Sequence, residues 1–113
     1  MLPKENRLKN REDFNLVYKI GKFASAEGVS MKFARNNLEV TRIGFSIETK
    51  YFKAAVQRNR LRRILREVFR NLIGKIKPGF DIVVFYKKKE EKIDFSIISV
   101  EAEKMLRKVN LLN

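Results

Sequence analysis

The chain has 113 residues, 44% of them hydrophobic, with only 5 Gly and 2 Pro, which fits one compact domain and excludes a low-complexity or disordered chain. It carries 26 Lys and Arg against 13 Asp and Glu, a net charge of +13, so its natural partner is a polyanion: nucleic acid first, an acidic membrane surface second. With no Cys and no His there is no disulfide, no thiolate nucleophile, no imidazole base and no ordinary zinc site, and no apolar run approaches the roughly 18 residues of a spanning helix.

The start of the chain, Met1-Leu2-Pro3-Lys4-Glu5-Asn6-Arg7, has no stretch resembling a signal peptide, which points to the cytoplasm; residues 1–9 read as a looser lead-in to a single domain over 1–113. Residues 11–20 predict a first helix. Asn10 is its N-cap, Glu12 and Asp13 put negative charge in the first turn, and Phe14, Val17 and Tyr18 share a face. Gly21 is placed to end it in a left-handed conformation. A short strand fits 22–26. Residues 28–35 alternate, with Val29, Met31 and Phe33 on one side and Ser30, Lys32 and Ala34 on the other. After the Asn36-Asn37 turn, residues 40–47 alternate again through Ile43, Phe45 and Ile47, and the two runs read as an antiparallel hairpin.

Residues 56–73 hold the strongest helical period, through Leu61, Ile64, Leu65, Val68, Phe69 and Leu72, with Gly74 available to close the helix. Pro78-Gly79 predicts a turn, and Phe80 to Tyr86 a mostly apolar, central strand. Lys87 to Lys92 reads as a solvated charged loop. A last helix over 95–109 buries Ile98, Ala102, Met105, Leu106 and Val109, capped by Asp94 or Ser96. Asp81 and Asp94 read as turn or capping residues rather than metal ligands. Helices lying with an antiparallel or mixed sheet make an α+β sandwich.

The chemistry concentrates in one helix. From Arg58 to Arg70 there are six Arg and one acid, and Arg58, Arg62, Arg66 and Arg70 recur every four residues. They form a slanting stripe with members about 6 Å apart along the axis. Like charges at that spacing repel, and solubility alone would be served by mixed Glu and Lys. A guanidinium pairs bidentately with phosphate and stacks on bases, so the stripe points to nucleic acid, against the blander reading of a solvated helix face. Phe14 and Tyr18, one turn apart, are core by their spacing.

At this helix the chain resembles the protein subunit of bacterial ribonuclease P. Arg58-Asn59-Arg60-Leu61-Arg62-Arg63-Ile64-Leu65-Arg66-Glu67 is similar to that family's Arg-Asn-Arg signature and basic helix. Asn6-Arg7-Leu8-Lys9 with Glu12-Asp13-Phe14 and Tyr18, Arg42-Ile43-Gly44-Phe45-Ser46-Ile47, and Gly79-Phe80-Asp81-Ile82-Val83-Val84 fall where the family's other landmarks do, so the likeness spans nearly the whole chain. It implies an α/β sandwich of about four mixed strands and three helices, with a left-handed crossover through the basic helix. It also implies a ribonucleoprotein endonuclease that removes the 5′ leader of precursor tRNA, with catalysis by an RNA subunit that holds Mg²⁺ and no catalytic or metal-binding side chain in the protein.

By the same resemblance, Arg58, Asn59, Arg60, Arg62, Arg63, Arg66 and Arg70 bind the RNA subunit, and Phe14, Tyr18, Ser30 and Lys32 bind the leader. Two departures stand out. Some relatives have an aromatic where Lys32 lies, which points to a phosphate contact there, and Phe52-Lys53 occupy a place where relatives commonly carry Gly. Composition alone leaves two other classes open, a ribosomal or other structural RNA binder and a free metal-dependent nuclease, although the acids are too dispersed for a two-metal site.

Overall fold

The computed structural model describes residues 2–48, 52–87 and 94–113. In chain order they form α1 (Arg11–Ile20), β1 (Lys22–Ala26), β2 (Val29–Arg35), β3 (Arg42–Ser46), α2 (Ala55–Leu72), β4 (Phe80–Tyr86) and α3 (Phe95–Lys108), with short 3-10 turns at Lys4–Asn6 and Ile73–Lys75. The fold is α+β: one four-stranded mixed sheet and three helices. Tyr51 and Lys88 to Lys92 lie outside the described residues.

The sheet order is β1-β2-β4-β3, with β2 antiparallel and β3 parallel to β4. The expected hairpin of β2 with β3 is therefore not formed; β2 makes its hairpin with β1, through a two-residue turn in which Glu27 has φ +56°. The reason lies in β4. Its alternate residues Ile82, Val84 and Tyr86 are buried on one face and Val83 on the other, so it needs cover on both faces and neighbours on both edges. Residues 36–41 carry the chain past the start of β4 instead of turning back. The Asn36 N–H donates to the Gly79 carbonyl at 2.9 Å, and the Thr41 hydroxyl donates to the Lys77 carbonyl at 2.7 Å and accepts from the Phe80 N–H at 3.1 Å.

One face of the sheet is closed. Val29, Met31, Ile82, Val84 and Ile43 pack against Leu61, Leu65, Val68 and Phe69 of α2 and Ile98, Ala102, Met105 and Leu106 of α3 in a single core. On the other face α1 is the one helix among the described residues, and its Val17 and Phe14 pack with Leu8, Val83 and Phe85. Gly21 ends α1 for a reason other than handedness: its φ is −69°. A Cβ there would lie 2.3 Å from the Val17 carbonyl oxygen and 3.3 Å from the Lys32 Cβ, so close approach of the helix end to β2 calls for glycine. Gly74 sits inside a 3-10 turn and is likewise not left-handed, whereas Gly79, at φ +92°, is.

Asn10, Asp81 and the N-terminal lead-in differ from the sequence reading, and Asp94 agrees with it. Asn10 occupies the N-cap of α1 without a side-chain bond, while Asp94 caps α3 by accepting the Ser96 N–H at 2.7 Å. Asp81 is no turn residue but a buried strand residue. It accepts two bonds from Arg42, at 2.8 and 2.7 Å, and one from the Asn36 amide at 2.9 Å. Two oxygens with three donors satisfy the carboxylate, and that hydrogen bonding raises the Arg42 guanidinium above its ordinary pKa, against a smaller opposing effect of burial. The N-terminal lead-in is packed: Leu2 and Leu8 are buried, Arg7 bridges to Ile43 alongside β3, and the Asn6 amide donates to the Thr41 carbonyl at 2.9 Å.

Candidate nucleic-acid interface

The basic helix α2 buries Leu61, Leu65, Val68, Phe69 and Leu72, and that choice of inner face turns the arginines outward. Asn59, Arg60, Arg63, Arg66 and Arg70 are exposed, and Arg58 and Arg62 half-buried. They are not equivalent. Arg58 donates to the Phe52 and Lys53 carbonyls at 2.8 and 2.7 Å, so part of its guanidinium holds the turn that enters the helix. That turn lacks a capping side chain at Ala54. Arg62 makes a long 3.4 Å bond to the Asn59 side chain, and Arg70 lies 3.8 Å from Glu67. Among the described residues no carboxylate pairs with Arg60, Arg63 or Arg66, and α2 therefore presents guanidinium groups free to meet phosphate.

A second polar surface lies on the α1 face of the sheet. Phe14, Tyr18 and Phe85 form a row of rings with centroids 6.4 and 6.0 Å apart, and the Lys87 ammonium stands 6.0 Å from the Phe85 centroid. Tyr18 is 37% exposed; Phe14 and Phe85 are half-buried. Beside the row, β2 contributes Ser30 and Lys32 and β1 contributes Phe23, which pairs with Lys32 and is exposed. The Lys32 ammonium donates to the Tyr18 carbonyl at 3.1 Å, one of the orphan carbonyls at the end of α1. Ser30 is buried among its neighbours, and its hydroxyl has no hydrogen-bond partner among the described residues.

The four residues expected to hold a leader thus share one face. Sequence reasoning missed Phe85 and Phe23. The alternation in β4 was the available signal for Phe85, since Asp81, Val83 and Phe85 must face opposite to Ile82, Val84 and Tyr86. The described residues contain no cluster of three or more acids that could seat a metal ion, and no described helix is long and apolar enough to cross a membrane.

A basic helix beside an aromatic and cationic cleft, on a small α+β scaffold, defines the class: a protein that binds nucleic acid. Comparison with known proteins makes this specific. The Ribonuclease P family model matches residues 2–110. The ribonuclease P protein component of Pseudanabaena is 37% identical over 114 residues, covering 100% of this chain and 98% of that protein. The solved ribonuclease P protein of Thermotoga maritima superposes with a TM-score of 0.81 at 36% identity, over 90% of this chain and 96% of that one. That of Staphylococcus aureus gives 0.83 at 26% identity, over 96% and 98%. This chain belongs to the ribonuclease P protein family: it is the protein part of a tRNA-processing ribonucleoprotein and has an RNA partner.

Proposed function

We propose that this chain binds the catalytic RNA of ribonuclease P through α2 and holds the 5′ leader of precursor tRNA on the α1 face, in the cytoplasm. Cleavage of the leader is the work of the RNA and the Mg²⁺ it holds; the protein supplies affinity and orientation. The observation that carries this reading is the pairing of two unlike surfaces. Arg60, Arg63 and Arg66 offer bidentate, always-charged donors suited to a folded polyanion. The Phe14–Tyr18–Phe85 row with Lys32 and Lys87 offers stacking and phosphate contact that tolerate sequence variation, as a subunit serving many leaders requires.

The test is binding by the reconstituted complex. Leader-bearing precursor tRNA should bind more tightly than mature tRNA, and the protein should increase that preference over the RNA alone. Equal affinity for the two substrates would overturn the cleft assignment. RNA cleavage by the purified protein with Mg²⁺ and no RNA subunit would overturn the assignment of catalysis to the RNA.

A further inference from the structure

A concavity of about 390 Å³ lies where the N-terminal segment, β3 and α2 meet, apart from the open cleft beside Tyr18. Its floor is apolar: Leu8 and Ile43 are buried and Phe45 is half-buried. Phe14 forms one wall, with Gly44 beneath it; a Cβ at Gly44 would come within 2.3 Å of the Phe14 ring, so glycine is what lets the ring settle there. The rim is cationic, with Lys9, Arg62 and Arg66, and among the described residues no carboxylate lines it.

This combination narrows the occupant. An apolar ligand would leave the rim cations without counterions. A phosphate alone would leave the aromatic floor without a partner. A nucleotide satisfies both, because an unstacked base packs on aromatic and guanidinium planes while its phosphate takes charge-assisted bonds. The volume suits one such unit, at the lower end of the roughly 300–1,000 Å³ of small-ligand sites. Arg62 and Arg66 belong to the helix that faces the RNA subunit, which selects the source.

We propose that the concavity seats one unstacked nucleotide of the RNA subunit, with its base against Phe14, Ile43 and Phe45 and its phosphate among Lys9, Arg62 and Arg66. This rests on the reading of α2 as the RNA-subunit helix. Phe14 then serves two sites, packing beside Tyr18 on one and lining the concavity on the other, with its tip resting on Gly44.

The first test titrates the full-length isotope-labelled protein with AMP, ribose 5-phosphate and inorganic phosphate, followed by NMR. AMP should shift the amides of Leu8, Ile43, Gly44 and Phe45 and bind at least about five-fold tighter than ribose 5-phosphate, the lower end of what stacking one base contributes. Arg66→Ala should weaken AMP binding by about ten-fold, the loss of one charge-assisted contact. Equal affinity for AMP and ribose 5-phosphate, or shifts confined to Tyr18 and Phe85, would overturn the proposal. The second test reconstitutes the complex with thionucleotides placed in the RNA subunit or in the leader. Crosslinks to residues 2–9 or 42–46 should come from the RNA subunit; their arising from the leader instead would overturn the assigned source. The comparison of precursor with mature tRNA reads the leader cleft and not Lys9, Arg62 or Arg66, so the broader reading can hold where this one fails.

Discussion

The two faces of the sheet are used for opposite purposes. On the closed face Val29, Met31, Ile82 and Val84 meet two helices and are wholly buried. On the α1 face one ten-residue helix covers part of the sheet, and Phe23, Tyr18 and Lys32 keep contact with solvent. Burial on the first face supplies the stability that lets the second stay incomplete. The arginines divide in the same way. Arg42, on the α1 face, is spent within the protein, tied to Asp81 and lying 3.4 Å from Asp13 of α1, so it anchors that lone helix to the sheet. Arg66, at the rim of the concavity, keeps its charge for a partner.

Five substitutions can break or sharpen this contrast. Leu65→Ala, in the closed core, should cost about 2–5 kcal/mol in urea unfolding, with RNA affinity retained while the variant is folded. Asp81→Ala leaves Arg42 and Asn36 without their acceptor and should cost about 2–4 kcal/mol. The stability difference between the native chain and Arg42→Gln should stay constant through neutral and mildly alkaline pH. A cation whose folded pKa is raised contributes fully below its unfolded value and loses that contribution only in strong alkali.

Arg66→Ala should change stability by no more than about 0.5 kcal/mol, yet weaken RNA-subunit binding about ten-fold. Its salt dependence should flatten by about 0.7 in log–log slope, the single-strand figure for one phosphate contact. A large fall in melting temperature would show the side chain to be structural. Smallest of all, Tyr18→Ala should lower affinity for leader-bearing precursor tRNA by about five-fold while leaving mature tRNA binding unchanged. An equal loss on both substrates would separate the aromatic row from the leader.

Much of this was legible beforehand where the signal is periodic. The helix expected over 56–73 is Ala55–Leu72, with Leu61, Leu65, Val68, Phe69 and Leu72 inward. The strands expected over 22–26 and 28–35 are Lys22–Ala26 and Val29–Arg35. The leader candidates Phe14, Tyr18, Ser30 and Lys32, carried by resemblance, fall on one face. What misled was adjacency in the chain. Residues 28–35 and 40–47 look like hairpin partners because both alternate and a turn lies between them, yet β4, more than forty residues after that turn, takes the place between them. Asp81 looked like a turn residue because it follows Pro78-Gly79, and only its distant partners Arg42 and Asn36 explain its burial.

Sequence by itself determined the elements, their inner faces and the surplus of positive charge, because side-chain period and charge are properties of neighbouring residues. Tertiary structure decided the order of the strands, which arginine is paired and which is free, and the concavity that joins Phe14 to Arg62 and Arg66. Those outcomes depend on contacts between residues far apart in the chain, and such contacts exist only once β4 has found both of its neighbours.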